Sequence, residues 1–489
     1  MRLSCLFGIG IVCSLVALST GPVYSVQEGS QKGTAKGIEG YWEGVLKVGA
    51  GMELRMGVKV VKKDDGSLSG TLDVPQQGAK DLKLEDVKFK DSKFSFEFKT
   101  GKGSYEGKLN KGASEIEGRW KQSGLDFELI FKRKDKATPL LRPQEPKKPY
   151  PYSETEVSYE NKKANVKMAG TLTMPQAAGP HAVALLIAGS GPQDRNETIF
   201  GHKPFWVIAD HLTRQGIAVL RVDKRGIGSS TGKYAEATSA DFADDVMAGV
   251  EFLKTYKGID PHKIGLIGHS EGGIVGPMVA AQSKDIAFVV MLAGTALGGE
   301  EILYLQGQAI LKAAGADEKT MARQRSVQEL MFKITKEEKD NAAAEKKIRE
   351  ALDKEKAKLT DDEKKEAEKQ QAAMDGQIKR ILQPWFRYFL TYDPRPTLMK
   401  VQCPVLSLIG EKDLQVPPKE NNPEIEKALK AGGNKDFTVK ELPKMNHLFQ
   451  TCTTGALSEY ASIEETVSPA ALKLITEWIL RRTSEKQSK

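Results

Sequence analysis

Gly-x-Ser-x-Gly occurs twice in this chain, as Gly228-Ser229-Ser230-Thr231-Gly232 and as Gly268-His269-Ser270-Glu271-Gly272. The pattern describes a turn so tight that the flanking residues must be small, with a serine hydroxyl at its tip between a strand and a helix. The flanks separate the two matches. Residues 263–267 form a short apolar run directly ahead of the second, and residues 273–281 read as a helix directly after it. The first follows Asp223-Lys224-Arg225-Gly226-Ile227 and runs on into polar loop. Ser270 is therefore the candidate nucleophile, and Ser230 is not.

A serine hydroxyl attacks well only when a base takes its proton. The six histidines are His181, His202, His211, His262, His269 and His447. Where a serine stands on such a strand-to-helix turn, its partners follow in the order acid, then histidine. Only His447 lies beyond Ser270, in the loop Lys444-Met445-Asn446-His447 after a predicted strand. The acid that would orient its ring lies in Gly410-Glu411-Lys412-Asp413. Asp413 sits past the expected strand end and is preferred, with Glu411 as its rival. A carbonyl under attack also needs two backbone donors for its growing negative charge. Glu271, next after the nucleophile, would supply one, and Ser190 in Gly189-Ser190-Gly191-Pro192 the other.

The elements that must position these residues are short apolar runs at 182–188, 217–223, 263–268, 288–294, 405–411 and 437–442. Helical stretches at 205–215, 242–256 and 272–282 alternate with them. Near-continuous apolar strands between helices predict an α/β fold with a parallel sheet covered on both faces. Every candidate residue falls at the end of such a strand, where ligands of these folds bind. Residues 297–392 interrupt the alternation. They are rich in Lys, Glu and Ala, and both Thr335-Lys336-Glu337-Glu338 and Thr360-Asp361-Asp362-Glu363 have the spacing of a capping box. A helical cap over the strand ends is expected, with residues 336–369 forming a solvated helical hairpin.

A chain of 489 residues is long enough for more than one domain. Residues 37–134 read as about eight short strands separated by turns, a small all-β barrel or sandwich. Gly40-Tyr41-Trp42 is similar to the start of lipocalin-like barrels, with Trp42 as a core plug. Residues 135–153 carry Pro139, Pro143, Pro146, Pro149 and Pro151 and read as an extended linker. The α/β part is expected over 154–483. Residues 1–25 read as a signal peptide, with Arg2 ahead of an apolar run at 6–18. A secreted or periplasmic protein is expected, with no membrane span left after cleavage. Of the four cysteines, Cys403 and Cys452 would remain, at opposite ends of the sheet and too far apart to bridge. The net charge of +8 is dispersed, with no basic stripe, which argues against nucleic-acid binding. No metal-ligand cluster is visible.

Residues 152–482 resemble the bacterial α/β-hydrolase esterases related to the dienelactone hydrolase and acyl-thioester hydrolase groups. The resemblance rests on residues 189–196 (Gly189-Ser190-Gly191-Pro192-Gln193-Asp194-Arg195-Asn196), Asp223-Lys224-Arg225-Gly226-Ile227-Gly228, the Ser270 motif, Gly410-Glu411-Lys412-Asp413 and Asn446-His447. It implies hydrolysis of a small-molecule carboxylic ester through an acyl-enzyme, without a cofactor. It also gives weight to Asp194, Arg195 and Arg225, which we read as anchors of loops. The long charged insert departs from smaller relatives, and residues 37–134 lie outside the resemblance. The same triad would serve a peptidase or a thioesterase. The non-enzymatic alternative is a β domain that binds lipid or glycan beside an inactive hydrolase domain.

Overall fold

The computed structural model describes residues 37–47, 53–75, 79–122, 124–138, 141–369 and 371–484. The expected signal segment lies outside these residues. Eight antiparallel strands come first: β1 (Gly40–Lys47), β2 (Glu53–Lys62), β3 (Leu68–Val74), β4 (Ala79–Lys90), β5 (Lys93–Phe98), β6 (Gly103–Leu109), β7 (Glu115–Gln122) and β8 (Leu125–Lys134). Each pairs with the next, and β1 closes on β8 through Gly44 opposite Phe131, so the β domain is a barrel and not a sandwich. Alternation along the strands decides its filling. In β5, Phe94, Phe96 and Phe98 point inward while Lys93 and Glu97 face solvent. Trp42, Tyr105, Trp120 and Phe131 join them, all essentially inaccessible. The polar tips are satisfied: the Trp42 indole donates to the Ile38 carbonyl at 2.8 Å, and the Tyr105 hydroxyl lies 3.1 Å from the carbonyls of Ile116 and Leu129. Burying each such ring contributes roughly 1.5–3 kcal/mol.

The Pro-rich linker is more than a spacer. The Arg142 guanidinium donates to the backbone carbonyls of Phe200, Gly201, Ala461 and Ile463, and Gln144 bonds to the backbone of Thr466 and Val467. The linker is thus strapped to the loops of the α/β part.

That part holds an eight-stranded sheet. Its strands are β9 (Tyr152–Asn161), β10 (Val166–Pro175), β11 (His181–Ile187), β12 (Ala218–Val222), β13 (Ile259–His269), β14 (Ile286–Leu292), β15 (Val405–Gly410) and β16 (Phe437–Leu442). The order is β16-β15-β14-β13-β11-β12-β10-β9. Strands β11 to β16 are parallel, whereas β9 and β10 form an antiparallel hairpin at one edge. The sequence pattern missed that hairpin, because β9 is polar on its exposed side and lacks the continuous apolar run of its neighbours. It begins at Tyr152, inside the stretch assigned to the linker.

Helices cover both faces. α1 (Pro204–Arg214) packs on one side; α2 (Ser239–Lys254) and α3 (Gly272–Ala280) pack on the other. Between β14 and β15 lie α4 (Gly299–Ala313), α5 (Glu318–Glu337), α6 (Asn341–Ala357), α7 (Asp361–Lys369), α8 (Gln371–Ile381), α9 (Pro384–Thr391) and the short α10 (Arg395–Leu398). α11 (Pro418–Ala431), α12 (Leu457–Tyr460) and α13 (Pro469–Thr483) complete the chain, α11 on the same face as α3 and α13 on the same face as α1. Helices α4 to α9 have a core of their own, around Phe332, Ile348, Ile378 and Phe386. Only one of the two expected capping boxes exists. Thr360 and Glu363 bond reciprocally at the start of α7. Thr335 instead lies buried within α5, and Asp340 caps the next helix by accepting from the Ala343 N–H at 2.8 Å. The apolar face of α5 simply carries through the threonine. Among the described residues, no helix is long and apolar enough to cross a membrane.

Candidate active site

Ser270 follows β13 without a break and precedes α3. Its φ of +53° is one that side-chain-bearing residues seldom take. The turn closes because its neighbours are glycines: a Cβ on Gly268 would stand 1.9 Å from the Gly272 carbonyl oxygen, and one on Gly272 would stand 2.0 Å from that of Ile187. The Ser270 N–H bonds to Leu292 O at 2.8 Å, which fixes the turn to β14.

His447 and Asp413 arrive from loops after β16 and β15. These loops are pressed together, since the Lys412 N–H donates to Met445 O at 2.8 Å and Gly410 leaves room for the same carbonyl. The His447 Nδ1 lies 2.8 Å from Asp413 Oδ2, with both side chains buried. The other oxygen, Oδ1, accepts from the N–H groups of Gln415 and Val416, each at 2.8 Å. Asp413 is thereby held in one orientation. Glu411, its rival, is exposed and accepts from the Lys444 N–H, apart from the imidazole. Ser230 is buried in a structural role: its hydroxyl donates to Asp223 O and accepts from the Ala169 N–H.

Ser190 and Glu271 line one pocket with Ser270. Neither of their backbone N–H groups has an acceptor among the described residues. The pocket holds about 40 Å³ of accessible space. Ile274, Ile302, Leu303, Phe389 and Val416 make its wall mostly apolar, and the α4 and α9 residues among them come from the cap.

Three charged groups support these loops. Arg195 forks onto Asp223 at 2.8 Å and also pairs with Glu156. Asp194 accepts from the backbone N–H groups of Asn196 and Thr198. Arg225 forks onto Asp245, itself held by Asn161. All three act as loop anchors.

Sequence reasoning passed over Glu197, Lys224 and Trp385. Glu197 Oε1 accepts from the Gly189 N–H at 2.6 Å and from His269 Nδ1 at 2.9 Å. Lys224 donates to Gly189 O and to the Glu271 carboxylate. Trp385, on α9, donates to the same carboxylate at 2.6 Å, as does the Ser239 hydroxyl. Lys224 lies within a motif already singled out, but its neighbour Arg225 drew the attention. Nothing local marks Glu197 or Trp385.

Residues 205–451, just over half the chain, match the family described as serine aminopeptidase, S33. The chain belongs to this family. The match spans α1 to the loop of His447 and so includes Ser270, Asp413 and His447 of this S33 member, whose α/β part is an α/β-hydrolase fold. Esterase EstD of Thermotoga maritima is 35% identical over 147 residues, 30% of this chain and 35% of EstD. The matched stretch is thus about a third of that relative's length. An uncharacterized 31.7 kDa protein of Escherichia coli is 26% identical over 216 residues, 43% of this chain and 68% of its own. Among solved structures, an esterase of Pyrococcus furiosus aligns with 68% of this chain and 91% of its own at 14% identity and a TM-score of 0.40.

Proposed function

We propose that this S33 member is a serine hydrolase that cleaves small carboxylic esters through an acyl-enzyme. The carrying observation is the buried Asp413–His447 pair, whose His447 carbonyl meets His269, together with Ser270, the next residue after His269, held at a positive φ on the strand-to-helix turn. In this reading Ser270 Oγ attacks the ester carbonyl and His447 Nε2 takes its proton. The N–H groups of Ser190 and Glu271 hold the oxyanion. His447 then returns the proton to the leaving alcohol, and water releases the acid by the same route. Asp413 keeps the ring in the tautomer with Nε2 free to accept and steadies the imidazolium that forms.

An ester is favoured over the free amino terminus of a peptide by charge. An α-ammonium group needs an acidic partner, and among the described residues Glu271 is the one acidic residue lining the pocket. Its carboxylate is already taken by Lys224, Ser239 and Trp385. The small apolar pocket favours a short acyl group. The Arg2-led apolar run at 6–18 supports a periplasmic or secreted location, which N-terminal sequencing of the mature protein tests.

A fluorophosphonate probe followed by peptide mapping is expected to label Ser270. Ester turnover is expected to favour p-nitrophenyl acetate over the octanoate by at least about tenfold in kcat/KM. Preference for aminoacyl arylamides over aryl esters would instead establish the peptidase reading, and preference for acyl thioesters the thioesterase one. Absence of both labelling and turnover would leave the non-enzymatic reading.

A further inference from the structure

Gly189 directly precedes Ser190 and is gripped from both sides. Its N–H donates to Glu197 Oε1 at 2.6 Å, and its carbonyl accepts from Lys224 Nζ at 2.6 Å. Each gripping charge continues to the nucleophile turn. Glu197 Oε1 pairs with His269 Nδ1, one residue before Ser270. Lys224 Nζ pairs with Glu271 Oε2 at 3.0 Å, one residue after it. All four side chains are buried.

His269 extends the brace a further step. Its Nε2 lies 3.0 Å from the His447 carbonyl oxygen. Both ring nitrogens thus face oxygen acceptors, and only a doubly protonated ring can donate to both. Burial opposes that charge, but the Glu197 carboxylate, the His447 carbonyl and the Asp413 charge together raise the His269 pKa above its ordinary value. Across the turn, Lys224 also lies over the Phe242 ring at 4.4 Å, which suits a cation held away from water.

Two buried ion pairs inside one loop cluster are costly to desolvate, and apolar side chains of similar size are often at least as stable. Their placement has a geometric use. The two oxyanion donors belong to separate segments, the loop after β11 and the turn after β13. The pairs tie those segments together on both sides of Ser270.

We propose that Glu197–His269 and Lys224–Glu271 are positioning pairs that set the spacing of the Ser190 and Glu271 N–H groups for the tetrahedral intermediate. Their side chains act on the two loops, through Gly189 and the residues flanking Ser270. This inference rests on Ser270 as the nucleophile and deepens that reading.

The test compares Lys224→Met, Lys224→Arg and Glu197→Gln with the native full-length enzyme. Readouts are kcat and KM for p-nitrophenyl acetate, the melting temperature, and affinity for a trifluoromethyl ketone, which adds to the serine and forms a stable oxyanion. Lys224→Met is expected to lower kcat and ketone affinity in parallel by about ten- to a hundredfold, less than loss of a donor itself, with KM changed less than about threefold. Lys224→Arg keeps the charge with a longer, planar group, and is expected to show the same parallel loss at a near-native melting temperature. It remains decisive if the Met variant does not fold. Glu197→Gln keeps the shape and an oxygen for Gly189, removes the charge that favours a second proton on His269, and is expected to give the smallest of the three losses.

A lower melting temperature with native kcat and ketone affinity in all folded variants would overturn the positioning role. Turnover retained by Ser270→Ala would instead overturn the nucleophile assignment, so the two failures are distinguishable.

Discussion

The barrel and the ends of the parallel strands solve opposite problems. Apart from the tips of Trp42, Tyr105 and Trp120, the buried side chains among the described barrel residues are apolar. At the strand ends, Glu197, Lys224, His269, Glu271, Asp413 and His447 are all buried, within a few residues of one another in space. Closing a sheet on itself pairs every backbone group and leaves the interior to be filled, which bulky rings do at the lowest polar cost. A site that must stabilise developing charge needs fixed charges and dipoles away from water, and each needs a partner. In these two regions, rings are buried where the barrel must be filled, and charges where the loops of the candidate site meet.

The largest effect that could break this comparison is at Ser270. Ser270→Ala is expected to lower ester kcat by about 10⁴-fold or more with the melting temperature little changed. Residual turnover near the native rate would remove the reason for the buried charges. Next in size is the barrel. Phe96→Ala should cost about 3–5 kcal/mol of barrel stability while kcat of the folded enzyme stays native. Calorimetry and kinetics on one preparation check this, and a matching fall in kcat would tie the barrel to the chemistry.

A third test uses pH, because two buried histidines of the α/β part carry opposite signs. Burial, reinforced by the nearby Arg142 charge, pushes His202 down to about 4, so it is neutral in the folded protein. The unfolded chain takes up that proton near pH 6.5, so this contribution to stability is lost as pH falls from about 6.5 towards 4, by up to about 3 kcal/mol. His269 is raised, so its contribution is full below the unfolded value and is lost as pH rises through the folded one. Melting curves at pH 7 and pH 5 should show a smaller acid loss for His202→Asn than for the native protein. Equal losses would show that His202 does not set the acid limb.

The smallest expected effect is at the cap. Trp385→Phe keeps the ring but removes a donor to the buried Glu271 carboxylate. A loss of about 1–3 kcal/mol is expected, divided between stability and kcat/KM. No change in either would mean that Lys224 and Ser239 hold Glu271 without help from the cap.

The candidate triad residues were legible because their signals are local. Ser270 follows an apolar run, its glycines mark a tight turn, and His447 is the one histidine after it. The alternating β5 pattern and the parallel strands were legible for the same reason. The choice between barrel and sandwich was not, because it depends on whether β1 meets β8, a pairing across the whole domain. The β9–β10 hairpin was hidden because an edge strand needs little apolar surface. Thr335 misled because a capping spacing inside a longer amphipathic helix is read through by the packing of its apolar face.

Residue type and order along the chain single out Ser270 and His447 as candidates and mark where apolar strands and helices alternate. These follow from residue type and from neighbours a few positions away. Only the tertiary structure decided that Asp413 and not Glu411 meets His447, that the linker is strapped down by Arg142, and that Glu197 and Lys224 grip Gly189. Each of those choices pairs a charge with a partner far along the chain, and a buried charge selects its partner by distance in space, which linear order does not record.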